Sequence, residues 1–136
     1  MPGAATRIRL LIIDDSSDFQ LLIKTFLQNT IFSCSSAADG LQAMGIAIRE
    51  EPGVILLDIG LPGGDGLMIL DRLRANSHTK TTPIVVATAQ TATGLEAKVI
   101  DKGAAAYLKK PIDKQILLET LQRVLQESVH ATTTHR

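Results

Sequence analysis

Three short segments of this chain are rich in Ile, Leu and Val and lack the alternation of polar and apolar residues that a half-exposed strand shows. They run from Ile8 to Ile13, from Val54 to Leu57 and from Ile84 to Ala87. Strands that are covered on both faces have this composition, and such strands belong to parallel sheets flanked by helices. The segments therefore predict a parallel sheet that is buried between two layers of helices.

Between these segments, apolar residues recur at helical spacing, which predicts helices with one buried face each. Ser17 with Gln20 three residues later is typical of a capping box at the start of the first helix. The predicted apolar stripes are Phe19, Leu22, Ile23, Phe26 and Leu27; Leu41, Met44, Gly45 and Ile48; Leu67, Leu70 and Leu73; and Leu117, Leu121, Val124 and Leu125, the last in a helix that begins near Asp113.

Three weaker segments complete the pattern. Ile31–Ser36 contains serines and is expected at a sheet edge, Ala106–Leu108 is a short strand, and Leu95–Lys102 is a helix that ends before Gly103. Five alternating strand–helix pairs predict an α/β fold with a doubly wound, five-stranded parallel sheet of order 2-1-3-4-5, a flavodoxin-like (βα)5 three-layer sandwich. We expect one domain over residues 1–128 and a flexible tail over residues 129–136.

Composition excludes several classes of function. The 14 Lys and Arg residues balance the 14 Asp and Glu residues, so a direct nucleic-acid partner bound through phosphate neutralisation is not expected. Purely aliphatic runs reach four residues, which predicts no membrane span and no membrane partner. Cys34 is the only cysteine, so an intrachain disulfide is impossible and we expect a cytoplasmic protein.

Polar residues follow the predicted inner strands, where ligands bind in doubly wound sheets. Asp14 and Asp15 follow the first strand, Asp58 the third, Thr88 the fourth and Lys110 the fifth. Neighbouring strands lie ~4.8 Å apart, so a lysine stem can span the roughly 10 Å between the origins of Lys110 and Asp58. Three carboxylates at one edge repel each other, and their oxygens suit Mg²⁺, so the pattern predicts a magnesium site that attracts a phosphoryl group.

These residues resemble those of a known family, the receiver domain of two-component response regulators, in its stand-alone, chemotaxis-regulator-like type. The resemblance covers about residues 7–127. Its motifs are Asp14-Asp15; the segment from Asp58 through Pro62 to Asp65-Gly66; Thr88-Ala89; Gly103-Ala104; Tyr107; and Lys110-Pro111.

The resemblance implies a role for each residue of the acidic site. Asp58 would accept a phosphoryl group, Asp15 would bind Mg²⁺ directly, and Asp14 would bind it through water. Gly60 would offer its backbone carbonyl to the metal, and Lys110 would contact the phosphoryl oxygens. The protein would catalyse only its own phosphorylation and dephosphorylation, and would not be an enzyme in any other sense.

The resemblance also implies a conformational switch and the partners that it serves. Thr88 would swing toward the phosphoryl group, Tyr107 would follow it inward, and the bond before Pro111 would be cis. The fourth helix, fifth strand and fifth helix would form the signalling face for a downstream protein or a phosphorylation-dependent dimer. The donor would be a sensor histidine kinase or a histidine phosphotransfer protein. Gly60 and Gln90 would tune the access of attacking water.

Three other functions are weighed against this one. A haloacid-dehalogenase-like phosphatase also uses a strand-end Asp and Mg²⁺, but it usually has a second Asp where this chain has Gly60. A flavodoxin-like cofactor binder would need a phosphate cradle where Asp14 and Asp15 would repel a phosphate. A degenerate receiver would act as a phosphorylation-independent binding module, against which the full set of acceptor, acid pair, Thr and Lys argues. With no residues left over for an effector domain, we expect a phospho-acceptor that acts through a protein partner.

Overall fold

A five-stranded parallel sheet organises the chain, as predicted. The computed structural model describes residues 7–60 and 66–134, with side chains up to residue 128. The strand order is β2-β1-β3-β4-β5, and β2, the strand with three serines, lies at an edge. The strands are β1 Ile8–Ile13, β2 Phe32–Ala37, β3 Val54–Leu57, β4 Ile84–Thr88 and β5 Ala106–Lys109.

Helices cover both faces of the sheet, which explains why the inner strands are apolar throughout. In β1, Leu11 and Ile13 face a core shared with α2, α3 and α4, while Leu10 and Ile12 face a core shared with α1 and α5. Each face therefore needs its own set of apolar residues. The helices are α1 Ser17–Phe26, α2 Gly40–Glu50, α3 Gly66–Ala75, α4 Leu95–Asp101 and α5 Lys114–Thr134.

The capping box predicted at Ser17 is wrong by one residue. Ser16 is the N-cap of α1, and its hydroxyl accepts a hydrogen bond from the Phe19 amide at 3.1 Å. Gln20 does not complete a capping box, because its side chain donates to the Asp14 carbonyl at 2.6 Å. Adjacent serines are both acceptable caps by propensity, and the position of Asp14 decides between them, since its carboxylate accepts from the Ser16 amide at 2.9 Å.

The apolar stripe predicted for α2 is also wrong in part. Leu41 is 88% exposed and Ile48 is exposed as well, whereas Ala43 and Ala47 are fully buried against the sheet. Small side chains one turn apart let a helix approach a sheet closely, and this rotates the larger apolar residues of α2 toward the surface. Met44 remains in contact with the core, as predicted.

The C-terminal ends of α4 and α5 can be compared with the ends predicted for them. Gly103, just after α4, has a φ of 105°, a left-handed conformation that favours glycine and accounts for the stop. Helix α5 continues to Thr134, so the backbone of residues 129–134 is helical where a tail was predicted. The flexibility of residues 129–136 and the boundary at residue 128 stay predictions. No helix within the described ranges combines the length and hydropathy that a bilayer span requires.

The turn from β3 into α3 depends on a glycine. A Cβ placed on Gly66 would lie 2.1 Å from the Cα of Ile59, closer than any real contact, so only glycine fits where α3 starts. Leu61 to Asp65, which carry part of the predicted motif, lie outside the described residues.

Candidate functional site

Two neighbouring strands bring three carboxylates together at the carboxyl edge of the sheet. Ile13 and Leu57 are register partners at the ends of β1 and β3, so Asp14 and Asp58 follow side by side. The Asp58 amide donates to the Ile13 carbonyl at 2.9 Å and continues the pairing by one residue. Carboxylate oxygens of Asp14, Asp15 and Asp58 all lie within 4.8 Å of one another. Such a cluster of hard oxygen ligands fits a divalent cation such as Mg²⁺.

Asp14 is the buried member of the cluster, with its side chain only 1% exposed. One carboxylate oxygen accepts from the Ser16 amide at 2.9 Å and the other accepts from the Lys110 ammonium at 2.7 Å. Burial raises the pKa of Asp14 above its ordinary value, because removal from water disfavours the charged form, and the bonds from Lys110 and Ser16 oppose that rise in part. Asp15, in contrast, is exposed.

Lys110 crosses the site from the end of β5. Its ammonium lies 3.3 Å from an Asp58 carboxylate oxygen, the bridge that strand spacing predicts, and closer still to Asp14. The Lys110 amide donates to the Thr88 carbonyl at 2.9 Å, which fixes the start of the side chain. The Lys110–Pro111 peptide bond is cis, the conformation that the resemblance implied.

Asp58 is the half-buried member of the cluster, with its side chain 12% exposed. Its Oδ1 atom accepts from the Gly60 amide at 2.9 Å. A Cβ added to Gly60 would lie 3.5 Å from this oxygen and 3.2 Å from the side-chain nitrogen Nε2 of Gln90. Gly60 and Gln90, which the sequence singled out together, therefore flank the Asp58 carboxylate.

Thr88 and Tyr107 meet at the backbone that follows β4. The buried Thr88 hydroxyl accepts from the Gln90 amide at 3.1 Å, and the Tyr107 hydroxyl donates to the Gln90 carbonyl at 3.4 Å. Both predicted switch residues thus contact one residue of the loop between β4 and α4. The length of the Tyr107 bond indicates a weak interaction.

Two contributors from the first turn of α1 are not apparent from the sequence patterns. The Phe19 ring packs against the core, as predicted, but its centroid also lies 4.0 Å from the Lys110 ammonium. Gln20 was assigned to a cap, yet it holds the Asp14 carbonyl. The sequence does contain a signal for both contacts. Helix α1 starts three residues after Asp14, so its first turn must lie beside that carboxylate.

Comparisons with known proteins agree with this arrangement. The family model for the response regulator receiver domain matches residues 10–122 of this chain. Protein PilH of Pseudomonas aeruginosa is 30% identical over 117 residues, which cover 86% of this chain and 97% of PilH. Response regulator PleD of Caulobacter vibrioides is 34% identical over 109 residues, 80% of this chain, and the chain spans only 24% of PleD.

A solved structure of a receiver domain has the same fold. The receiver domain of the sensor histidine kinase PA1611 from Pseudomonas aeruginosa, with a magnesium ion coordinated in its active site cleft, superimposes with a TM-score of 0.80 at 29% identity. The superposition covers 89% of this chain and 99% of that domain. With the matched model and the relatives, this shows that the chain belongs to the family of response regulator receiver domains.

Proposed function

We propose that Asp58 is the phospho-acceptor of a two-component signalling pathway and takes its phosphoryl group from a histidine kinase or a histidine phosphotransfer protein. The observation that carries the proposal is the convergence of Asp14, Asp15, Asp58 and Lys110 at the end of the sheet. Receiver domains are signalling modules that act as phospho-acceptors, and this chain is a member of that family.

The proposed reaction is a transfer between two nucleophiles. A carboxylate oxygen of Asp58 attacks phosphorus, a new P–O bond forms, and the P–N bond to the donor imidazole breaks with its electron pair left on nitrogen. Lys110, already 3.3 Å from Asp58, is placed to neutralise charge on the phosphoryl oxygens. The Gly60 amide holds the other Asp58 oxygen and so orients the carboxylate.

The charges of the site support a metal requirement. Asp14, Asp15 and Asp58 contribute three negative charges against the single positive charge of Lys110. We assign Asp14, Asp15, Asp58 and the Gly60 carbonyl to Mg²⁺, in line with the magnesium ion in the cleft of the PA1611 receiver domain. When bound, Mg²⁺ would offset the charge that builds up on the phosphoryl oxygens during transfer.

The proposed output is a change of the surface formed by α4, β5 and α5. Thr88 would leave the Gln90 backbone amide for the phosphoryl group, and Tyr107, whose hydroxyl makes a weak hydrogen bond to the same residue, would turn inward after it. Helix α4 has seven residues, and within the described ranges no side chain caps its start at Gly94, so a shift of this helix costs little free energy. A downstream protein or a second copy of the chain would read the altered surface.

The test is labelling by a small phosphodonor such as acetyl phosphate, followed by intact mass. Wild type and Asp71→Asn, a variant of an exposed carboxylate outside the site, are expected to gain one phosphoryl group when Mg²⁺ is present and none in EDTA. Asp58→Asn is expected to gain none. Equal labelling of wild type and Asp58→Asn, or no labelling of wild type, would contradict the proposal.

A further inference from the structure

We propose that the aromatic ring of Phe19 is a positioning residue for Lys110, holding its ammonium over the acidic site through a cation–π interaction. Phe19 lies in the first turn of α1, and Lys110 follows β5, so the contact joins two distant parts of the chain. The inference deepens the proposed function, since it rests on the role proposed for Lys110, but its central measurement requires no phosphorylation.

The geometry is that of a strong cation–π pair. The ammonium lies 4.0 Å from the ring centroid, well inside the ~6 Å limit for this interaction. The Lys110 side chain is only 18% exposed, so water competes little with the ring. Asp14 and Asp58 hold the same ammonium, and the ring contributes a further contact.

A closed circuit of contacts fixes the ring in place. The Asp14 carboxylate accepts from the Ser16 amide, the Ser16 hydroxyl accepts from the Phe19 amide, and the Phe19 ring contacts the Lys110 ammonium. Lys110 closes the circuit by donating to Asp14. The N-cap residue Ser16 therefore does more than start α1, because it also places the Phe19 ring against Lys110, which donates to the same Asp14 carboxylate.

An aromatic face suits this place better than the alternatives. A third carboxylate beside Lys110, in addition to Asp14 and Asp58, would compete with the phosphoryl group for its N–H donors. An aliphatic side chain would exclude water from the ammonium without any attraction in return. The ring attracts the cation through its quadrupole but carries no net charge, so Lys110 keeps its N–H donors for Asp14, Asp58 and an arriving phosphoryl oxygen.

The decisive test is a double-mutant cycle on folding stability, measured by urea unfolding in EDTA. Phe19→Leu removes the ring and Lys110→Met removes the charge. Phe26→Leu is the matched control, because Phe26 is the other half-buried phenylalanine of α1 and packs against the same core. We expect Phe19→Leu to raise the unfolding equilibrium constant by roughly two- to fivefold more in wild type than in Lys110→Met, the equivalent of about 0.5–1 kcal/mol for a cation–π pair.

Phe26→Leu is expected to raise the unfolding equilibrium constant by the same factor in wild type and in Lys110→Met. If Phe19→Leu also raises this constant by the same factor in both proteins, Phe19 only fills the core and the inference is wrong. Should Phe19→Leu fail to fold, NMR of the wild type decides, because ring current must shift the Lys110 Hε protons upfield of those of the other lysines. An unshifted Lys110 signal overturns the inference.

Labelling rates then connect the contact to the proposed function. With acetyl phosphate and Mg²⁺, Phe19→Leu is expected to react roughly two- to fivefold more slowly than wild type, Phe19→Tyr to recover the wild-type rate, and Phe26→Leu to leave it unchanged. If wild type is not labelled, the proposed function fails while the stability cycle still decides the contact. An unchanged rate in Phe19→Leu would contradict the positioning role.

Discussion

Asp14 and Lys110 show how single residues at this site balance burial against charge. The Asp14 carboxylate is almost fully enclosed and would be poorly stable as an anion without a cation beside it. Lys110 supplies that cation at 2.7 Å and also reaches Asp58. The same lysine thus stabilises the folded site and stands ready at the proposed phospho-acceptor.

A pH dependence follows from the raised pKa of Asp14. The folded protein binds this proton more tightly than the unfolded chain, so the stability that the group contributes is complete below the unfolded pKa and is lost as the pH rises through the raised folded pKa. Asp14→Asn cannot undergo this loss. In EDTA, the free energy of unfolding of Asp14→Asn relative to wild type is therefore expected to increase from acid to neutral pH.

Urea unfolding across this pH range measures the difference, with Asp71→Asn as the exposed control. A relative stability of Asp14→Asn that stays constant or falls as the pH rises would show that burial does not dominate the environment of this carboxyl.

Gly60 lies beside the Asp58 carboxylate, where an added side chain would meet neighbouring atoms. In Gly60→Ala the added methyl group would press on the side-chain nitrogen Nε2 of Gln90 at 3.2 Å and lie beside the Asp58 oxygen, where it obstructs an approaching water. We expect a longer lifetime of the phosphorylated protein, and about 1 kcal/mol of added barrier corresponds to about fivefold. Loss of label after removal of the phosphodonor measures it.

Gly45→Ala is the control for Gly60→Ala, since a Cβ there meets no described atom within 4 Å. An unchanged lifetime in Gly60→Ala, or an equal change in both variants, would exclude an effect specific to the space beside Asp58.

Among the elements, α4 is held at its C-terminal end by polar side chains of α3. The Arg74 guanidinium of α3 donates to the Gly103 carbonyl at 2.7 and 2.9 Å and to the Thr82 carbonyl at 2.7 Å, which ties the turn after α4 to the loop before β4. Lys102 adds an ion pair with Asp71 at 3.1 Å. At the opposite end, the buried Leu95 side chain packs in the core, and no side-chain hydrogen bond caps Gly94 within the described part of the chain.

Arg74→Met is expected to lower the free energy of unfolding by about 1–3 kcal/mol, because the part-buried Thr82 carbonyl loses a charged donor and the exposed Gly103 carbonyl loses two hydrogen bonds. Arg72→Met, an exposed neighbour on the same helix, is the control. Urea unfolding gives the comparison, and hydrogen exchange of the Ala104 amide, bonded to Val99, reports the local effect. Equal stability of the two variants would disprove the anchoring role.

Individual elements also show the reach of sequence reasoning. All five strands agree with their predicted bounds to within about a residue. For the inner strands β1, β3 and β4 the reason is that both faces must be apolar, which leaves a clear pattern. The buried face of α2 was misjudged, because residue size alone does not indicate how closely a helix approaches a sheet. Ala43 and Ala47 are buried there, and Leu41 is not.

For the whole molecule, the balanced charge conceals a local excess of acid. The 14 basic and 14 acidic residues cancel overall, while three carboxylates and one lysine meet at the end of the sheet. A divalent cation that binds this cluster favours the folded state, since the unfolded chain does not hold the three acids together.

Mg²⁺ is therefore expected to stabilise the protein by about 1.4 kcal/mol at a concentration ten times its Kd, at constant ionic strength. Asp15→Asn removes an exposed carboxylate of the cluster and should reduce this gain, while Asp113→Asn, outside the cluster, should keep it. Thermal unfolding against Mg²⁺ concentration measures both. Equal stabilisation of Asp15→Asn and Asp113→Asn would place the ion elsewhere.

The sequence by itself determined the positions of the strands, the edge at which the acids gather, and the identity of Asp14, Asp15, Asp58 and Lys110 as a cluster. These follow from apolar runs and strand ends, which are local patterns. The tertiary structure alone decided that Lys110 lies closer to Asp14 than to Asp58 and that the Phe19 ring covers its ammonium. Such contacts join residues far apart in the chain, and their distances depend on strand register and side-chain packing, which no local pattern records.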